Sequence, residues 1–233
     1  MRSARRERPG DVSPEPVLPP GFVSSCQPVR GGWFDEPDIV VRYARASQAA
    51  GARALRIESL RDLQAVRPVT RLPIVGLVKR EIPGTDVFIT PTPDDVHALA
   101  EAGADVIAFD GTDRPRPHTI EALLAATHAA GKEAMADVAT FEEGVAAWSA
   151  GCTYVGTTLS GYVPGSPELD GPDLELVRRL SLAGARTIAE GRIATPEQAR
   201  EAMRLGAYGV TIGTAISRPE RLAEAFASAI ENA

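Results

Sequence analysis

The sequence predicts an α/β fold, a (β/α)8 TIM barrel filling a single domain over residues 21–233 behind a disordered extension of residues 1–20. Three observations lead there. An Ala-rich helix that ends at glycine and runs straight into a short apolar stretch recurs four times: AAGARALRIE (49–58), AEAGADVIAFD (100–110), WSAGCTYVGTT (148–158) and RLGAYGVTIGT (204–214). The apolar stretches are continuous and rich in β-branched residues, as in parallel strands buried on both faces. The phrases recur about every 50 residues, the length of two βα units, so each interval holds one more strand.

In chain order the first strand is FVSSCQ (22–27), and ALRIE of the first phrase supplies the second. LPIVGLVK (72–79) is the third and DVIAFD the fourth; EAMADV (133–138), TYVG, ARTIAEG (185–191) and YGVTIG complete the eight. Between them, TPTPDDVHALAEAG (90–103) and TPEQAREAMRLG (195–206) carry threonine and proline where an N-cap and a first helical turn want them. The phrase glycines suit helix ends, because only glycine takes the left-handed conformation there without steric cost. An open doubly wound sheet is the alternative, but no GxGxxG follows the first strand. The first twenty residues, MRSARRERPGDVSPEPVLPP, are charged and rich in proline, which predicts disorder; Glu7, Asp11 and Glu15 break the acid-poor pattern of a transit peptide.

A chain of 233 residues buries enough surface to fold without disulfides or metals. Cys26 and Cys152 lie far apart with no CxxC motif, which predicts free thiols in a reducing compartment, no zinc site and no cofactor held by cysteine. A net charge of −6 argues against a nucleic-acid partner. No apolar run approaches the ~20 residues that span a bilayer, so a cytoplasmic protein without a membrane partner is expected.

In this fold chemistry gathers at the C-terminal ends of the strands. The polar residues there are Gln27, then Arg56 with Glu58, Lys79 with Arg80, Asp110, Asp137, Thr157 with Thr158, Glu190, and Gly213 with Thr214. Lys79 follows the apolar stretch IVGLV. A lysine with a desolvated stem serves as a base or an imine-forming nucleophile, and a rim lysine that binds phosphate or pairs with an acid is the plainer role. Glu190, set beside apolar residues, suits a proton donor; a structural salt bridge to Arg192 or Lys79 is the competing role. The loops EGRIATPEQA and IGTAISRPE run into helix N-termini, so N–H groups at Gly191, Arg192, Gly213 and Thr214 suit a phosphate, with Arg218 adding charge. DGTDRPRPHT (110–119) offers two arginines to an anion or to solvent. His97, His118 and His128 fall away from the strand ends, on helices or at a helix start.

These motifs, in the order SSCQ, LRIES, GLVKREIPGTDVFITPT, ALAEAGADVIAFDGTDRPRP, ADVATFEEG, YVGTTLSGY, IAEGRIATPEQA and GVTIGTAISRPE, resemble the bacterial N-acetylmannosamine-6-phosphate 2-epimerases over about residues 21–229. The resemblance implies an isomerase that interconverts N-acetylmannosamine 6-phosphate and N-acetylglucosamine 6-phosphate in amino sugar and sialic acid catabolism, without metal or other cofactor. It implies Lys79 and Glu190 as the catalytic pair, and Gln27, Arg56 and Asp137 on the sugar with Thr157 nearby. It also implies phosphate at Gly191, Arg192, Gly213, Thr214 and Arg218. The glycine-rich VRGGWFDEP after SSCQ, GTD near Gly111 and the long N-terminal extension depart from the family wording. An aldolase forming an imine at Lys79 and a non-catalytic phosphosugar-binding barrel are the alternatives. Oligomeric state stays open, with a homodimer admitted.

Overall fold

The computed structural model describes residues 15–231. Eight strands among them close into an all-parallel barrel in chain order: β1 (Gly21–Ser25), β2 (Ala54–Glu58), β3 (Ile74–Leu77), β4 (Val106–Asp110), β5 (Glu133–Asp137), β6 (Tyr154–Gly156), β7 (Thr187–Ala189) and β8 (Gly209–Ile212). Pairing of Val23 with Thr211 and of Val23 with Ala54 joins β1 to both neighbours. All eight predicted strands are present, and the predicted closed sheet rather than the open one is formed. The helices that follow the strands are α1 (Pro37–Ala49), α2 (Leu60–Val66), α3 (Pro93–Glu101), α4 (Ile120–Ala129), α5 (Phe141–Ala150), α6 (Leu174–Leu182), α7 (Pro196–Arg204), and the pair α8 (Thr214–Ser217) and α9 (Pro219–Glu231).

Local chemistry sets these boundaries. Thr92, Thr140 and Thr195 each accept a hydrogen bond from the N–H three residues on, while the side-chain oxygens of Asp95, Glu143 and Gln198 accept one from the cap N–H. Such reciprocal boxes satisfy N–H groups a helix start otherwise leaves bare. The four phrase glycines, Gly51, Gly103, Gly151 and Gly206, all sit at φ between 94° and 113°.

Residues alternate across each strand, so one set meets the helices and the other fills the barrel. Leu55, Ile57, Ile107 and Ala134 pack outward with helix residues such as Val40, Leu63 and Leu123. Val23, Ala54, Val75, Ala108, Met135, Tyr154 and Ile188 fill the inside. The same alternation on β5 places Glu133 at the barrel floor and Asp137 at its mouth.

Residues 1–14 of the predicted extension lie outside the described residues, but the predicted boundary at residue 20 falls too late. Leu18 is buried inside the barrel floor. Its N–H donates to the Tyr154 hydroxyl at 2.9 Å and its carbonyl accepts from Tyr208 at 2.6 Å. The Val17 N–H donates to both Glu133 carboxylate oxygens at 3.0 and 3.1 Å, and Tyr154 donates to Glu133 at 2.7 Å. The prolines around Leu18 hid a segment that closes the open end of the barrel.

Candidate active site

At the opposite end the strand-terminal side chains converge. Arg56, on β2, is fully desolvated, and Asp137 at the end of β5 takes both its terminal nitrogens, at 3.3 and 2.6 Å. Thr158 donates to the same carboxylate at 2.7 Å. Glu190, one residue past β7, brings Oε1 to 3.3 Å from Arg56 Nε, while its Oε2 and Arg56 Nε are both buried without a hydrogen-bond partner. Burial favours the neutral acid and holds the Glu190 carboxyl above its ordinary range. Arg56 pulls against that, Asp137 adds to it, and Lys79 and the Thr158 hydroxyl oppose it. Burial also works against the Arg56 charge, but the carboxylates of Asp137 and Glu190 outweigh it and hold the guanidinium ionised.

Lys79 leaves β3 two residues past Leu77, where its backbone bridges Ile89 across a hairpin excursion. Its Nζ donates to Gln27 Oε1 at 3.0 Å and to Glu58 Oε2 at 2.9 Å. The Gln27 amide nitrogen donates in turn to Ser25 at 2.9 Å. Lys79 and Glu190 therefore belong to one mouth, the first on the Gln27 and Glu58 side, the second on the Arg56 and Asp137 side. Lys79 pairs with an acid, Glu58, as its plainer role has it, and the cation that pairs with Glu190 is Arg56 rather than the Arg192 or Lys79 weighed from sequence.

The remaining predicted residues lie around these. Thr157 is buried, and its hydroxyl donates to the Glu190 carbonyl at 2.9 Å while accepting from the Glu190 N–H at 3.0 Å. Expected at the sugar, it clamps the main chain of Glu190. Gly191 (φ 104°) and Arg192 (φ 53°) turn the chain sharply after Glu190. The Arg192 guanidinium lies 4.7 Å from the Tyr162 ring centroid and donates from Nε to the Gly171 carbonyl at 2.8 Å, so the loop after β6 fastens it. Gly161 there has φ 79°, a conformation that side chains rarely adopt, and a Cβ on it would stand 2.6 Å from that guanidinium and displace it. Gly213 caps α8, Thr214 opens it, and Arg218 donates to the Gln27 carbonyl at 2.9 Å. The arginines of DGTDRPRPHT meet an anion of the chain itself: Arg114 and Arg116 both pair with buried Asp110.

A family model described as "Putative N-acetylmannosamine-6-phosphate epimerase" matches residues 40–232. The chain belongs to the N-acetylmannosamine-6-phosphate epimerase family. A family member of Klebsiella pneumoniae subsp. pneumoniae, named "Putative N-acetylmannosamine-6-phosphate 2-epimerase", is 51% identical over 213 residues, 91% of each chain. One of the same name from Shigella dysenteriae serotype 1 is 52% identical over 91% of this chain and 93% of its own. The solved N-acetylmannosamine-6-phosphate 2-epimerase from Clostridium perfringens superposes with a TM-score of 0.88 at 37% identity, covering 91% of this chain and 94% of that one.

Sequence reasoning placed Glu58 and Thr158 at strand ends but left both out of the site, and passed over Arg30. Glu58 carried a signal: it stands two residues after Arg56, so on a strand it faces the same way. No helix among the described residues is long and apolar enough to cross a membrane.

Proposed function

We propose that this chain interconverts N-acetylmannosamine 6-phosphate and N-acetylglucosamine 6-phosphate by removing and returning the proton at carbon 2. The observation that carries the reading is the meeting of Lys79 and Glu190 in one mouth with an ionised, desolvated Arg56 between Glu190 and Asp137. Family membership supports the substrate, since close relatives carry this enzyme's name.

Carbon 2 of the open-chain sugar is α to the aldehyde, so its proton leaves if the resulting enolate oxygen is stabilised. Glu190, whose hold on a proton burial strengthens, acts in its protonated form to assist ring opening and supply a proton to carbon 2. Lys79, as the neutral amine, takes the carbon 2 proton and becomes the ammonium. The Arg56 Nε–H has no protein acceptor and is the donor left for the enolate oxygen. Gln27 and Asp137 flank the sugar. The turns at Gly191–Arg192 and Gly213–Thr214, with Arg218, hold the phosphate, and its remote binding energy orients carbon 2. This assignment needs no metal or organic cofactor. The presence of both reactive groups in one mouth favours catalysis over silent phosphosugar binding, and the relatives' names favour epimerisation over an imine-forming aldolase.

Two free, buried cysteines suit a reducing cytoplasm. A homodimer is supported by α9, none of whose described residues is buried and whose Leu222, Phe226 and Ile230 stand exposed on one face.

The test is a proton NMR time course with N-acetylmannosamine 6-phosphate in deuterium oxide. The wild-type chain washes out the carbon 2 proton as the second epimer appears. Lys79→Ala abolishes that exchange while isothermal titration still records phosphosugar binding. Exchange at the parent rate in Lys79→Ala would refute the assignment.

A further inference from the structure

The reaction above requires Lys79 as a free amine, yet in the resting structure it is one half of an ion pair. Its Nζ donates to Glu58 Oε2 at 2.9 Å. The other oxygen, Glu58 Oε1, accepts from Arg30 at 2.9 Å, and the same Arg30 nitrogen donates to the Lys79 carbonyl at 2.7 Å. Glu58 is thus tied to Lys79 at both ends, directly at the ammonium and through Arg30 at the main chain. The carboxylate is only 14% exposed and the lysine side chain 27%, so solvent screens the pair less than it would at the surface.

The backbone next to Glu58 is forced as well. Ser59 has φ 75° and ψ 147°, a conformation ordinarily left to glycine. It is held there by its N–H bond to the Leu77 carbonyl at 2.9 Å and by its cap on Asp62 at 3.1 Å. Non-glycine residues with positive φ are three among the described residues: Ser59 follows Glu58, Arg192 lies two residues past Glu190, and Thr90 follows Ile89, which bridges Lys79. Strain of this kind persists where surrounding structure overrides it, and such places gather at functional sites.

We propose that Glu58 is a positioning residue that, braced by Arg30, aims the Lys79 amine into the mouth toward carbon 2. The proposal rests on Lys79 acting as the base at carbon 2. The groups that face Nζ are Glu58 on β2 and Gln27 after β1, with Glu190 after β7 acting through space. Arg56 stands beyond Glu190, and Arg30 shares Glu58. Of these, Glu58 is the carboxylate in hydrogen-bond contact with the ammonium. A charge-assisted bond at that distance fixes the direction of the amine more firmly than a neutral acceptor does.

Three variants separate placement from folding. Glu58→Ala removes the contact that directs Nζ, so kcat falls by about 10²-fold while KM stays within about twofold. Glu58→Gln keeps an acceptor oxygen at Nζ and recovers most of that loss, a rescue that a merely structural role would not produce. Arg30→Met removes the brace on Glu58 and lowers kcat by on the order of a few-fold, again with KM little changed. Kinetics are read on variants whose thermal melts remain cooperative, and Arg30→Met carries the test if Glu58→Ala does not fold. A kcat at the wild-type level in folded variants, or a loss carried by KM alone, overturns the role of Glu58. Absence of carbon 2 exchange in the wild-type chain is a different result, and sinks the catalytic reading itself.

Discussion

Glu190 shows how one side chain is prepared for acid chemistry. Oε1 faces Arg56 Nε while Oε2 is buried with no partner, so the protonated carboxyl is the form that burial favours. A carboxyl raised in the folded chain binds its proton there more tightly than in the unfolded chain. Its favourable contribution to stability is therefore complete below the ordinary carboxylate range and is lost as pH rises through the folded value. Activity that needs this proton falls over the same interval, on the alkaline side of the rate profile. Glu190→Gln keeps a donor of similar shape but has no proton to transfer, and is expected to lose ~10²–10⁴-fold in kcat. In urea titrations from pH 5 to 9 the unfolding midpoint of the wild type should fall relative to that of Glu190→Gln as pH rises. Parallel midpoints across that range would mean the carboxyl is not raised.

At the scale of the element, one strand serves two ends of the molecule. Glu133, Met135 and Asp137 on β5 all face inward, and the two carboxylates lie at opposite ends because each inward step advances two residues. The lower one anchors the segment at Val17 and Leu18, which supplies an apolar plug and satisfies the Tyr154 and Tyr208 hydroxyls. Burial, followed by the Glu133 carboxylate, raises Tyr154 well above its ordinary value, so this floor stays protonated and hydrogen-bonded across the usual pH range. Leu18→Ala removes the plug and opens a void, which should cost ~2–5 kcal/mol in urea unfolding at neutral pH. Carbon 2 exchange at the far end should continue in whatever fraction stays folded. A cost below 1 kcal/mol would show that the floor collapses onto the space. The loop after β6 plays the matching part at the mouth, where Tyr162 and the Gly171 carbonyl fasten Arg192 beside the proposed phosphate turn.

For the whole molecule, barrel closure is what turns scattered strand ends into a site. It also leaves α9 as the one long helix among those described with no buried residue. Leu222, Phe226 and Ile230 recur every four residues on it, an apolar stripe that a second copy would cover. Light scattering coupled to size exclusion should find twice the chain mass for the wild type and a shift toward the single chain in Phe226→Glu. A wild-type chain that elutes at its own mass at micromolar concentration would dismiss the dimer.

How far each feature was legible follows from how local its cause is. The eight strands, the threonine caps and the phrase glycines rest on interactions within a few residues, so composition and spacing displayed them. Lys79, Arg56, Asp137 and Glu190 were legible because a strand end in a parallel barrel has one direction to face. The partners were not: Lys79 meets Glu58 across 21 positions, Arg56 meets Asp137 across 81, and the Thr157 hydroxyl reaches Glu190 across 33. Leu18 misled for the same reason, since its partners Tyr154 and Tyr208 lie 136 and 190 positions away and nothing beside it in the chain announces a buried place. The sequence by itself determined the barrel and the set of reactive groups at its mouth, because period and turn chemistry act over short distances. Which acid holds which base, and what closes the floor, was decided only by the tertiary structure, because those pairings exist only once the last strand returns to the first.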